Sequence, residues 1–193
     1  MPKWWTIDDL DELGTVLSQN PTTRLENFAA RIDELASGKM EDRQGTLGVI
    51  KEILENIDEY KGKMLSFEKS VKNSDGENAF IDIYTSDIPP RLVERKWISS
   101  STPVSEKTFI REFIKRDLFT ATDLSQIVWS IKGNKLAKSK VVEYLKSTEG
   151  RAALNKLPLA KKQKFFKDYD NISGITDLDI DQFVANNFDL IFK

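Results

Sequence analysis

The stretch Ala79-Phe80-Ile81-Asp82-Ile83-Tyr84-Thr85-Ser86-Asp87-Ile88-Pro89-Pro90-Arg91-Leu92-Val93-Glu94-Arg95-Lys96-Trp97 decides how this chain is read. Two runs of β-branched and aromatic residues flank the turn signal Ser86–Pro90, the pattern of strand, loop and strand. Asp82 falls mid-way along the first run. Glu94 and Lys96 fall two apart in the second, so they share a face of the strand. A carboxylate on one strand and a carboxylate with a lysine on the next offer what a hard divalent cation such as Mg²⁺ prefers. Glu-x-Lys alone says little: 14 Glu and 21 Lys in 193 residues give about 1.5 chance matches. Two occur. The other, Glu59-Tyr60-Lys61, lies in a helix-period segment with no strand or paired Asp before it. Context therefore selects Glu94-Arg95-Lys96.

Composition narrows the chemistry. The chain holds no cysteine and no histidine. Ser–His–Asp and Cys–His catalysis and Cys/His zinc sites are excluded, which leaves carboxylates, lysine, arginine, hydroxyls or an oxygen-held metal. No run approaches the ~18–20 apolar residues of a membrane span and no signal-peptide pattern opens the chain, so no stable membrane association is expected. The net charge of −2 is unevenly spread. Residues 1–90 carry 10 basic and 18 acidic side chains, residues 91–170 carry 18 and 9, and residues 171–193 carry 1 and 4. A net +9 across 91–170 is the footprint of a phosphate-backbone binder. The bland reading of the same numbers is a set of solvated lysine-rich helices.

Along the chain, Thr6-Ile7-Asp8-Asp9 reads as the cap of a first helix, and Pro21-Thr22-Thr23 as the restart of a second that ends at Gly38. The polar residues 41–44 mark a boundary between an N-terminal helical extension, 1–45, and a main domain, 46–193. Leu47, Val49, Ile50, Ile53, Leu54 and Ile57 define a third helix over about 46–60, with Glu52, Glu55 and Glu59 along one side. Residues 63–71 alternate as a strand, and Asn73-Ser74-Asp75-Gly76 is a turn leading into the Asp82 strand. After the loop Ser99–Pro103, Ser105 caps a basic amphipathic helix reaching Leu118. Its apolar stripe is Phe109, Ile110, Phe113 and Ile114, with Lys107, Arg111, Lys115 and Arg116 on the remaining sides. Residues 126–131 suit a buried strand better than a helix, given their β-branched and aromatic content. Helices follow over 136–147, 158–169 (rich in lysine) and 178–192. The expected class is α/β (α+β), a small mixed sheet flanked by helices.

Asp82 and, twelve positions on, Glu94-Arg95-Lys96 resemble the Asp…Glu-x-Lys signature of the PD-(D/E)xK nuclease superfamily. The resemblance covers roughly residues 46–131, and the order helix, then three strands, agrees with the core of that superfamily. No Pro precedes Asp82, and Arg95 stands where an apolar residue is often found. The resemblance implies a restriction-endonuclease-like core and a Mg²⁺- or Mn²⁺-dependent endonuclease. Asp82 and Glu94 would be metal ligands, and Lys96 would activate water and stabilise charge on phosphorus. A helix glutamate often joins such a site, directly or through water; Glu52 is the choice here, with Glu55 next. Arg111 and Lys115 are candidate phosphate contacts. Trp97, facing away from Lys96, is a core residue on this reading.

Size and style of sequence are similar to the C-terminal nuclease modules of bacterial contact-dependent and polymorphic toxins. That implies a nucleic-acid substrate (tRNA, other RNA or DNA) and a cognate immunity protein. It also implies action in the cytoplasm of a bacterial cell, with delivery as part of a larger secreted toxin. The contrasting class is a non-enzymatic module of immunity or adaptor type that docks a protein partner. For Asp82, Glu94 and Lys96 the plain alternative is a surface hairpin with charged residues on its outer face.

Overall fold

The computed structural model describes residues 7–36, 40–98, 103–133, 136–167, 169 and 174–193, with the backbone alone at 7–9, 34–36, 40–44 and 97–98. Thr6, Gly38, the Trp97 side chain and Ser99–Thr102 therefore lie outside the described residues. The elements in chain order are α1 (Ile7–Gln19), β1 (Arg24–Glu26), α2 (Phe28–Ala36), α3 (Met40–Glu55), α4 (Ile57–Tyr60), β2 (Met64–Lys72), β3 (Asn78–Thr85) and β4 (Leu92–Ile98). Then come α5 (Glu106–Phe109), a π-helix (Ile110–Leu118), a 3₁₀ turn (Leu124–Gln126), β5 (Ile127–Gly133), α6 (Lys138–Lys146), α7 (Thr148–Asn155), α8 (Leu159–Phe165) and α9 (Asp177–Ile191). The class is mixed α/β, with a small mixed sheet ordered β1-β2-β3-β4-β5. The chain packs as two units: residues 1–69 with 82–91, and residues 70–81 with 92–193.

In the first unit α1 and α2 pack on α3, and Leu13, Ile50, Ile53, Leu65, Phe67 and Ile83 are buried. The polar stretch 41–44 continues α3 rather than separating two elements, because helix propagation needs only backbone bonds once the apolar face of the following turns is buried. The restart expected at Pro21–Thr23 is displaced. Residues 24–26 form β1, parallel to β2 with Arg24 opposite Met64 and Leu25 opposite Leu65. Asn27 then takes a left-handed φ of 60°, which asparagine tolerates better than most residues, and α2 starts after it. Tertiary pairing to β2 overrides the helical spacing of Leu25 and Phe28.

In the second unit β4 and β5 run parallel, with Glu94 opposite Trp129 and Lys96 opposite Ile131. Residues 127–131 thus belong to a strand, as expected, and Gln126 closes the 3₁₀ turn before it. Aromatic rings fill the core beside it: Phe109, Phe113 and Phe192 lie 5.6, 5.9 and 5.7 Å from the Trp129 ring, centroid to centroid. The chain end joins β5, as Lys193 N donates to Trp129 O and Ile131 N donates to Lys193 O. Ser105 caps α5 by accepting from Thr108 N at 3.1 Å. The helix it starts is α-helical for four residues and π-helical for the next nine. The helix expected over 136–147 is α6, and α7, which was not expected, follows it at once. Ser147 ends α6 and caps α7, accepting from Gly150 N at 3.0 Å, a serine use that the sequence spacing concealed.

Candidate functional site

Glu94 and Lys96 stand together on β4, Lys96 Nζ lying 3.2 Å from Glu94 Oε1. Glu94 is buried at 3% exposure, a depth at which a carboxylate needs charged or hydrogen-bonded partners. It has two cations, Lys96 and Arg116, the latter on its Oε2. Besides Arg116, the π-helix brings two further charges to this network, Glu112 and Asp117. Glu112 Oε2 is 2.7 Å from Lys96 Nζ, and Arg116 Nε is 2.7 Å from Asp117 Oδ1. Arg116 Nη1 donates to the carbonyl of Phe80 at 2.6 Å. Trp129 Nε1 donates to Asp117 Oδ2 at 2.7 Å. Burial pushes the Asp117 carboxyl up, against the pull of Arg116. Lys96 retains 21% side-chain exposure, the largest among Lys96, Glu94, Glu112, Arg116 and Asp117.

Arg116 was expected on the outer side of an amphipathic helix; it is buried at 4%. The α-helical period assigned it outward; with π-type spacing Glu112, Arg116 and Asp117 fall on one side of the helix, where Glu112 and Arg116 meet Lys96 and Glu94 of β4. Glu112, Arg116, Asp117 and Trp129 are the residues that sequence reading missed. The one available signal was Glu112 and Arg116 four apart beside a dense apolar stripe.

Asp82, half-buried on β3, and Glu52 on α3 belong to the first unit, whereas Glu94 and Lys96 belong to the second. Glu52 is buried at 3% and accepts hydrogen bonds from Asn56 Nδ2 at 2.9 Å and Tyr60 Oη at 3.1 Å. Burial first, and the Glu52 charge second, push the Tyr60 hydroxyl up. Glu55 and Glu59 are exposed and α3 ends before Glu59, so the three glutamates do not form one helical side.

Arg111 is exposed and pairs with Glu112 Oε1 at 2.5 Å. Lys115 Nζ and Lys156 Nζ converge on the two oxygens of Asp75, at 2.7 and 2.6 Å. These lysines, Lys115 first, hold the Asp75 carboxyl below its ordinary value. Beside them lies a cavity of about 330 Å³ lined by Ile110, Lys115, Glu149, Ala152, Ala153 and Lys156. The lysines of α8 are structurally engaged as well. Lys161 donates to the carbonyls of Phe119 and Ala121, and Lys164 to that of Thr122. They satisfy carbonyls left over where the π-helix ends. The positive charge of residues 91–170 is therefore spent in part on internal contacts.

Carboxylate oxygens are the donor type that Mg²⁺ or Mn²⁺ takes. Among the described residues, however, no three Asp, Glu, His or Cys side chains are grouped so as to hold a metal ion. Both oxygens of Glu94 already face a cation, so a divalent ion there must compete with Lys96 and Arg116. Compared with protein-family models, curated proteins and solved structures, the chain shows no match. Among the described residues no helix is long and apolar enough to cross a membrane.

Proposed function

We propose that the protein is a divalent-metal-dependent phosphodiesterase acting on RNA, tRNA included, or on DNA. The observation that carries the reading is the Glu94–Lys96 pair on β4: a buried carboxylate 3.2 Å from the ammonium of a lysine whose side chain is partly exposed. On the sequence resemblance Glu94 is proposed as a ligand of a Mg²⁺ or Mn²⁺ ion, which would supply Lewis acidity and an activated water. Lys96 places a fixed positive charge where negative charge builds on the phosphoryl oxygens. Arg111 is the candidate phosphate contact that stays most open, at 63% side-chain exposure; Lys115 would have to leave Asp75. Glu52, oriented by Asn56 and Tyr60, keeps its carboxylate fixed in the first unit. On the sequence resemblance, we extend the proposal to a toxin module acting in a bacterial cytoplasm and held in check by an immunity protein.

Incubation of total RNA and of plasmid DNA with Mg²⁺, with Mn²⁺ and with a chelator tests it. Metal-dependent cleavage is expected, and Lys96→Ala should slow it on the order of 10²–10³-fold, the loss typical of one electrostatic stabiliser. An inert wild type, or a fully active Lys96→Ala, overturns the assignment. One observation favours a non-enzymatic docking module instead: the charges around Glu94 compensate one another as a structural network does. That module would show neither cleavage nor metal binding.

A further inference from the structure

We infer that Glu112 is a positioning residue for Lys96, the group that fixes the ammonium where the proposed chemistry needs it. The inference rests on the reading of Lys96 given above and adds a residue from a different element. Lysine carries its charge on a flexible four-carbon stem and has no planar fork to pre-set its direction. Displacement of a catalytic group by about 1 Å can cost on the order of 10²-fold in rate. Something must therefore hold Lys96 Nζ.

Two carboxylates face it. Glu94 Oε1 is 3.2 Å away and Glu112 Oε2 is 2.7 Å away. Glu94 is shared with Arg116, whose guanidinium also serves Asp117 and the Phe80 carbonyl. On the proposed function Glu94 must in addition serve a metal ion. Glu112 is free of that demand. Its other oxygen faces Arg111, an exposed side chain, and its own side chain keeps 13% exposure. The Trp129 ring, 5.8 Å from Lys96 Nζ, limits the ammonium on a further side. Glu112 is therefore the partner that still holds Lys96 once Glu94 is engaged elsewhere.

The backbone explains how Glu112 comes to be there. Nine residues of π-helix are unusual, because such geometry is mostly found as single turns, frequently at functional sites. Glu112 and Asp117 are five apart, the hydrogen-bond step of a π-helix, so both can address the same strand. That register sets Glu112 against Lys96 while Phe113, Ile114 and Leu118 remain fully buried.

The experiment uses Glu112→Gln, which keeps shape and removes charge, in the full chain. Two readouts are taken: cleavage kinetics, and acylation of Lys96 followed by mass spectrometry. Lys96 labelling should rise several-fold while other lysines are unchanged. The kcat should fall on the order of 10-fold or more with KM within about 2-fold, as for an interaction realised in the transition state. Lys96→Ala/Glu112→Gln should be no slower than Lys96→Ala, because a residue acting through Lys96 loses its effect when Lys96 is gone. Glu143→Gln, the same change at an exposed glutamate paired with Lys140, should alter neither readout. Unchanged Lys96 labelling in Glu112→Gln overturns the inference, whether or not the wild type cleaves. Wild-type kcat in Glu112→Gln beside an inactive Lys96→Ala overturns it while leaving the proposed function standing. Absence of cleavage by the wild type sinks the function alone, and the labelling still decides the Lys96–Glu112 link. If Glu112→Gln does not fold, Glu112→Asp carries the same measurements, with intermediate labelling and rate expected.

Discussion

Glu52 and Glu94 are equally buried, at 3% exposure each, yet they are accommodated in opposite ways. Glu52 receives hydrogen bonds from neutral donors, the Asn56 amide and the Tyr60 hydroxyl, both close to it in sequence. Glu94 is set between two cations, one on its own strand and one from the π-helix. The first arrangement is local; burial foremost, and then the nearby Glu52 carboxylate, push the Tyr60 hydroxyl up. The second is a long-range network in which each group depends on the next, from Lys96 through Glu94 and Arg116 to Asp117 and Trp129. Buried charge of the second kind makes removal of one member costly, because the partner left behind cannot return to water.

The largest expected effect follows from that asymmetry. Arg116→Met leaves buried Glu94 with Lys96 alone and buried Asp117 with Trp129 alone, and should cost about 3–5 kcal/mol of stability, read as a lowered urea midpoint. A loss under about 1 kcal/mol, the worth of a surface pair, would mean that the network is not buried as described. Tyr60→Phe takes one neutral donor from a carboxylate that keeps Asn56, and should cost about 1.5–3 kcal/mol. If it costs as much as Arg116→Met, charge compensation is not what distinguishes the two glutamates. The smallest effect belongs to a carboxylate that is neither buried nor networked. Asp123 caps the 3₁₀ turn Leu124–Gln126, accepting from Ser125 N at 3.0 Å. The Ser125 amide, then its hydroxyl, then Lys164 hold its carboxyl down at about 2. Asp123→Ala should cost about 1 kcal/mol at neutral pH, as for other N-caps. The sign is that of a depressed acid: full stabilisation above the unfolded value of about 3.9, lost as pH falls through about 2. Thermal melts of wild type and variant should therefore converge in strong acid. A gap that persists there would assign the stabilisation to packing.

The strands on either side of Ser86–Pro90 were legible because alternation and the Pro-Pro turn are local signals, and β3 and β4 lie where those signals fall. So was β5, whose β-branched run is bounded by Gly133. The pairing of Glu94 with Lys96 was legible too, since residues two apart on a strand share a face. The partners from the π-helix were not. Helical pattern reading assumes the α period, and that assumption sent Arg116 to solvent and gave Glu112 no role. The short β1 was hidden for a related reason: three residues carry too little pattern to announce a strand whose existence depends on β2. The lysines of α8 read as a free basic face, yet Lys161 and Lys164 are committed to backbone carbonyls 40 residues away or more.

By itself the sequence determined which chemistry was open to the chain. It holds no histidine or cysteine, carries Glu94 and Lys96 in register on one strand, and gathers its positive charge in residues 91–170. Those properties are set by residue type and by the two-residue repeat of a strand, which no distant contact can change. Only the tertiary structure decided that Glu94 is compensated by Arg116, that Lys96 is held by Glu112, and that much of the basic charge is used internally. Each of these joins elements far apart in the chain, and their geometry depends on a helical register that local propensity does not specify.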